Sequence, residues 1–113
     1  MLCLGIDIGT SAVKALISDD RDVTVAASEV PLTLQRPRDG WAEQDPDAWW
    51  LAVQQALAAL RTQIGSRMVE VAAIGLSGQM QGAELIDSPD RPLGPGILWT
   101  DRRSIQECLV LKE

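Results

Sequence analysis

Histidine, tyrosine and phenylalanine are absent from this chain of 113 residues. Without imidazole the chain offers no histidine metal site and no acid–base step that needs one. Cysteine is scarce, with only Cys3 and Cys108, far apart in sequence. That spacing makes no zinc pattern, and both thiols are read as buried and reduced, as in a cytoplasmic protein. Lysine occurs only as Lys14 and Lys112, and the balance of 10 basic against 16 acidic residues leaves a net charge of −6. The arginines are scattered and form no basic stripe, so duplex nucleic acid is not expected as a partner. No apolar run approaches the roughly 20 residues a bilayer crossing needs. The start, Met1-Leu2-Cys3-Leu4-Gly5-Ile6-Asp7, puts no charged region ahead of an apolar one. It reads as neither a signal peptide nor a membrane anchor.

Apolar residues make up 46% of the chain. The length suits one domain with one core, which would bury roughly two-thirds of the unfolded surface. Residues 4–14 carry the densest signal: Leu4-Gly5-Ile6-Asp7-Ile8-Gly9-Thr10-Ser11-Ala12-Val13-Lys14. An apolar strand reaches an acid, then a glycine and two hydroxyl residues, then a second apolar strand. This is a hairpin with Asp7 at its mouth. Gly9 is expected to supply the φ angle of the turn and to let a ligand approach the backbone. The amides and hydroxyls beyond it are of the kind that surround a phosphate. Asp7 would face a divalent metal ion or its water, because hard ions on nucleotide phosphates take carboxylate ligands. A plain β-hairpin is the competing reading.

Strands are read at Leu2 to Ile8, Ala12 to Ser18 and Val23 to Leu34, making an antiparallel meander. Asp19-Asp20-Arg21-Asp22 is a solvated turn that lacks the calcium-loop pattern. Asp45 stands at a helix N-cap, Pro46 at the first helical position and Asp47 in the first turn. Trp49, Val53, Ala56, Leu57, Leu60 and Ile64 then recur at helical spacing, and Gly65 is the stop signal. Trp41, Trp49 and Trp50 are read as packing. Val69 to Leu76 is read as a strand buried on both faces. A polar segment from Ser77 to Gly82, a short strand from Ala83 to Asp87 and a proline-rich loop follow. Ile97-Leu98-Trp99 ends a strand, and Thr100 or Asp101 caps a last helix running to Glu113 without a stop signal. The order is β-β-β-α-β-β-β-α, and the chain reads as cut from something longer, which would leave a sheet edge or apolar face open to self-association.

These segments now agree with one another. Gly5-Ile6-Asp7-Ile8-Gly9-Thr10-Ser11 resembles the first phosphate motif of the actin-like ATPase superfamily. Trp41-Ala42-Glu43-Gln44-Asp45-Pro46 with Trp49-Trp50 resembles a segment of the FGGY carbohydrate kinases. Gly75-Leu76-Ser77-Gly78-Gln79-Met80 with Gly82-Ala83 resembles the next block of that family, and Ile97-Leu98-Trp99 with Asp101 and Arg103 the one after. All stand in the family's order, and within it they are most similar to the xylulokinase branch.

The resemblance implies an α/β fold, a ribonuclease H-like (actin-like ATPase) domain with a mixed sheet, a leading antiparallel three-stranded meander and flanking helices. Residues 1–113 would be the first part of the N-terminal kinase domain. The implied activity is ATP- and Mg2+-dependent phosphorylation of a small-molecule sugar, D-xylulose to its 5-phosphate. Asp7 would hold the metal ion, with Gly9, Thr10, Ser11 and Lys14 near the phosphates of ATP; Lys14 is equally read as a solvated strand lysine. Met80 and Gln81 match the family's sugar-binding place, where Met is usually followed by His. Trp99 would pack on the sugar or in the core. Asp101 and Arg103 would line the sugar pocket, or else cap a helix and pair at the surface. The general base matches no position here and is expected beyond Glu113, so the isolated chain should be inactive. A homodimer is allowed. Glutamine can bond vicinal hydroxyls but cannot titrate, so Gln81 keeps open a sister kinase for another pentulose, polyol or sugar acid. The Arg-Glu pair of glycerol kinases is missing. An actin-like ATPase and a non-catalytic sugar-binding module are the remaining alternatives.

Overall fold

β1 (Leu2–Ile8) alternates as a strand covered on one side must. Leu2, Leu4 and Ile6 are buried, and Gly5 and Asp7 lie on the opposite face. β2 (Ala12–Asp19) repeats the pattern, with Val13, Ala15 and Ile17 buried and Lys14 and Leu16 exposed. β3 (Thr24–Pro31) adds Ala26 to the same buried face. All three pair antiparallel, from Leu2↔Asp19 to Ile8↔Val13 and from Ala12↔Pro31 to Ser18↔Thr24. This is the meander expected from the sequence. The coordinates come from a computed structural model and describe residues 1–112.

α1 (Pro46–Ile64) covers this face. Its buried stripe is Ala52, Val53, Ala56 and Leu60, at the spacing that lines one side of a helix. Ala52 and Ala56 share one buried cluster with Leu4, Ile6 and Val13. The helix stops at Ile64 because Gly65 takes a left-handed φ of 58° that other residues adopt at a cost. A 3₁₀ turn (Gly65–Glu70) leads into β5 (Val71–Gly78), which runs parallel to β1. The sheet order is β3-β2-β1-β5.

The chain divides into two compact units rather than forming one core. Met1–Leu32 and Asp47–Gly78 make the first; Thr33–Pro46 and the residues from Gln79 onward make the second. In the second, β4 (Glu43–Gln44) pairs antiparallel with β6 (Gly96–Ile97). Single bridges join Gln35 to Glu43, Ala83 to Ile97 and Ile86 to Pro92. α2 (Ile105–Val110) closes it.

Several expectations need correction. β5 is not buried on both faces: Ile74 and Leu76 are 63% and 78% exposed. Among the described residues it is an edge strand, paired only with β1. Ala83 to Asp87 forms isolated bridges and no strand, because the Ile86↔Pro92 turn occupies it. Trp50 is 63% exposed and does not pack. Cys108 is exposed and Cys3 only half-buried, so neither thiol is a core residue. Neither Thr100 nor Asp101 caps the last helix; Ser104 stands there and makes no side-chain cap. Glu113 lies outside the described residues.

Candidate functional site

In the first unit the strand alternation places Asp7 on the sheet face away from α1. Its neighbours are set by register: Lys14 opposite on β2 and Ser77 beside it on β5. The row continues through Glu29 on β3, opposite Lys14. Lys14 Nζ lies 4.0 Å from Glu29 Oε2, and both side chains are mostly exposed. A shallow depression of about 360 Å³ opens here, lined by Gly5, Asp7, Lys14, Leu16, Gly75 and Ser77 among others.

Glycine is favoured at position 9, at the end of this row, by space rather than by its φ, which is not positive. A Cβ there would stand 3.1 Å from the Ala12 carbonyl oxygen and 3.6 Å from Asp7 Oδ2. The turn is closed by the Gly9 N–H donating to that same Ala12 oxygen at 3.0 Å. The Gly9 amide is therefore committed to the hairpin and does not point at an anion. Ser11 is tied in through its carbonyl, which accepts from the Leu32 N–H at 2.8 Å. Thr10 and Ser11 form the tip. Asp7, Gly9, Thr10, Ser11 and Lys14 thus gather at one end of the β1–β2 hairpin.

The second unit carries Met80, Gln81, Trp99, Asp101 and Arg103. Met80 is 81% exposed. Gln81 sits at a φ of 63°, a left-handed conformation uncommon for glutamine. The next residue backs onto β6: a Cβ on Gly82 would come within 3.2 Å of the Ile97 carbonyl oxygen. Ala83 and Ile97 exchange both main-chain bonds, at 2.9 and 2.8 Å. Gln79 Nε2 donates to Oε1 of the buried Gln44 at 3.3 Å. The strand that fixes Gly82 also leads directly into Trp99, which is 57% exposed.

Asp101 and Arg103 form a tight charged cluster with Glu43 and Trp41. Arg103 Nη2 donates to Glu43 Oε1 at 2.6 Å and to Asp101 Oδ2 at 2.8 Å. Its guanidinium lies 3.7 Å from the centre of the Trp41 ring, and that of Arg38 lies 5.0 Å away. Hydrogen bonds from Arg103 hold the Asp101 carboxyl far below its ordinary range, against the opposing effect of burial. The same pairing holds the Arg103 proton more firmly. Among the described residues no group of three or more His, Cys, Asp or Glu is arranged to hold a metal ion. Asp7 offers one carboxylate, which fits an ion held mainly by phosphates and water.

The sequence model for the N-terminal domain of the FGGY family of carbohydrate kinases matches residues 2–113. The chain belongs to the FGGY family. The xylulose kinase of Escherichia coli K12 is 45% identical over 109 residues, which is 96% of this chain and 22% of that protein. The xylulose kinase of Klebsiella pneumoniae is 43% identical over 97% of this chain and 22% of its own length. The crystal structure of xylulose kinase from Rhodospirillum rubrum superposes with a TM-score of 0.95 at 33% identity, covering 99% of this chain and 23% of that one. This FGGY chain therefore spans about a fifth of the relatives it matches.

Sequence reasoning singled out neither Ser77 nor Glu43 as a site residue. Ser77 reaches the Asp7 row only through the parallel β1–β5 register, which no local pattern reports. Glu43 needs a cation because it is buried, and its burial is visible only in the fold, not in the sequence, where residues 35–44 read as a loop.

Proposed function

We propose that the chain is the leading part of an ATP-dependent sugar kinase that converts D-xylulose to D-xylulose 5-phosphate. The observation that carries this reading is the 45% identity to a xylulose kinase across 96% of the chain. The domain is read as ribonuclease H-like, with the remainder of the kinase supplied by further polypeptide. Phosphoryl transfer asks mainly for positioning and charge neutralisation. Asp7 would hold Mg2+ on the ATP phosphates. Thr10, Ser11 and Lys14 would face the transferring phosphoryl group, with the Gly9 N–H reserved for the turn. Gln81 and Met80 would meet the sugar, with Trp99 against its apolar side. The general base comes from outside residues 1–113, so the isolated chain is inactive.

The test is ADP release by the full-length protein with ATP, Mg2+ and D-xylulose, with other pentuloses, polyols and glycerol in parallel. Strong preference for D-xylulose supports the proposal. No sugar-dependent ADP release at all sinks it. Gln81 motivates the second reading, a sister kinase for another polyol or sugar acid, which predicts activity in that panel but not on D-xylulose.

A further inference from the structure

Trp99 is presented on a tight turn. The Asp101 N–H donates to the Leu98 carbonyl at 3.0 Å, leaving Trp99 and Thr100 as the central residues. Both ends of this turn close on one residue, the fully buried Ala42. The Leu98 N–H donates to the Ala42 carbonyl at 3.0 Å, and the Ala42 N–H donates to Asp101 Oδ2 at 2.7 Å. Asp101 Oδ2 also accepts from Arg103 Nη2 at 2.8 Å. Its Oδ1 accepts from the Arg103 main-chain N–H and from Arg103 Nε, both at 2.9 Å. A carboxylate has roughly four lone-pair sites, and these bonds fill them. The Asp101 side chain is 4% exposed. Neither oxygen has capacity left for a sugar hydroxyl. Arg103 commits its Nε and Nη2 to Asp101 and Glu43, and its guanidinium face to Trp41.

We propose that Asp101 serves the sugar site as a positioning residue, acting through Trp99, with Arg103 as the brace that orients its carboxylate. This rests on the sugar-kinase reading for Trp99 and replaces a direct sugar contact by Asp101. The carboxylate ties the end of the Trp99 turn to Ala42. An amide in its place puts at least one N–H where an acceptor is needed and releases the turn. A misplacement of about 1 Å can cost on the order of 100-fold in an enzyme site, so a loosened indole should be felt as weaker sugar binding.

The experiment uses the full-length kinase and the variants Asp101→Asn, Trp99→Leu and their combination. Asp101→Asn should raise KM for the sugar about 10-fold or more while leaving KM for ATP unchanged. Trp99→Leu should do the same, and the double variant should be no worse than Trp99→Leu alone. Losses that multiply in the double variant would overturn the proposal, as would a wild-type sugar KM in Asp101→Asn. In protein labelled with 5-fluorotryptophan, Asp101→Asn should shift or broaden the Trp99 fluorine signal, assigned by its disappearance in Trp99→Leu. An unmoved signal counts against the proposal. Arg103→Lys, which keeps the charge but loses the two-pronged geometry, carries the same measurements if Asp101→Asn does not fold. Wild-type protein with no sugar-dependent turnover would refute the kinase reading, and the fluorine signal would still decide whether Asp101 holds Trp99.

Discussion

Asp7 and Lys14 are cross-strand partners on the face of the sheet that α1 leaves open. The acid and the cation stand side by side at the mouth of the hairpin, with Ser77 on the other flank of Asp7. The Lys14–Glu29 pair is solvent-exposed, and such pairs are worth about 0–1 kcal/mol. Lys14 is therefore little needed for folding, which is compatible with the phosphate role proposed for it.

Asp7→Asn in the full-length enzyme should lower kcat about 100- to 1,000-fold, the scale for losing one preorganised electrostatic group. Lys14→Met should lower it less. Thermal midpoints should change little in both, since neither side chain belongs to the core. Steady-state kinetics beside a melting curve separates the two effects. A fully active Asp7→Asn would overturn the metal role proposed for Asp7.

Gly9→Ala places a methyl group against main chain, 3.1 Å from the Ala12 oxygen. A backbone carbonyl cannot swing aside as a flexible side chain does. The turn must shift by a few tenths of an ångström, at a cost of about 1–3 kcal/mol, the usual range for overpacking. Urea denaturation gives this number, and kcat should fall with it because Thr10 and Ser11 move. An unchanged midpoint would show that the turn relaxes freely.

Leu60 is fully buried on α1, in a cluster with Leu2, Leu4 and Ile17. Leu60→Ala should cost about 2–5 kcal/mol. The exposed Leu51, on the same helix, should give a loss smaller than about 0.5 kcal/mol as Leu51→Ala. Equal losses at the two positions would contradict the orientation of α1.

The meander and α1 were legible because their signals are local. Leu2, Leu4 and Ile6 alternate with Gly5 and Asp7; Val53, Ala56 and Leu60 recur at helical spacing; Pro46 and Gly65 punctuate the ends. The resemblance to the FGGY family was legible for the same reason, as short motifs in order. β5 misled because a run of Val, Ala, Ile and Leu reads as buried whether or not anything covers it. The division into two units was invisible, since it depends on residues 33–46 pairing with residues beyond 79 across long separation. Asp101 next to Arg103 read as a helix cap. Only the folded chain shows that its carboxylate crosses to Ala42, 59 positions away.

Gln81 is held at a φ of 63°, where a side chain normally costs about 1–3 kcal/mol. Gln81→Gly should relieve part of that strain and raise the thermal midpoint. If Gln81 meets the sugar as proposed, the change should also raise the sugar KM, because its amide is gone. Gln81→His, the residue usual at this place in the resembling kinases, should keep sugar binding without the gain in stability. A Gln81→Gly enzyme with unchanged sugar KM would show that Gln81 serves the turn alone.

Acid should act on this protein partly through Asp101. Its folded-state carboxyl lies well below the ordinary 3.8, first through the Arg103 hydrogen bonds and then through the main-chain donors of Ala42 and Arg103. The folded state thus binds fewer protons than the unfolded state at low pH. The stabilisation is complete above the ordinary value and declines as pH falls below about 4 toward the folded-state value. Asp101→Asn cannot take up that proton. Its urea midpoint should lie below wild type at pH 7, and the two should converge as pH drops from about 4 to 2. Asp19 and Glu70 are also held low, by the amides of Val23 and Arg21 and by Arg67 respectively. Both remain in the variant, so their contribution cancels in the difference. A constant gap between the two curves across this range would mean that the Asp101 charge does not stabilise the fold.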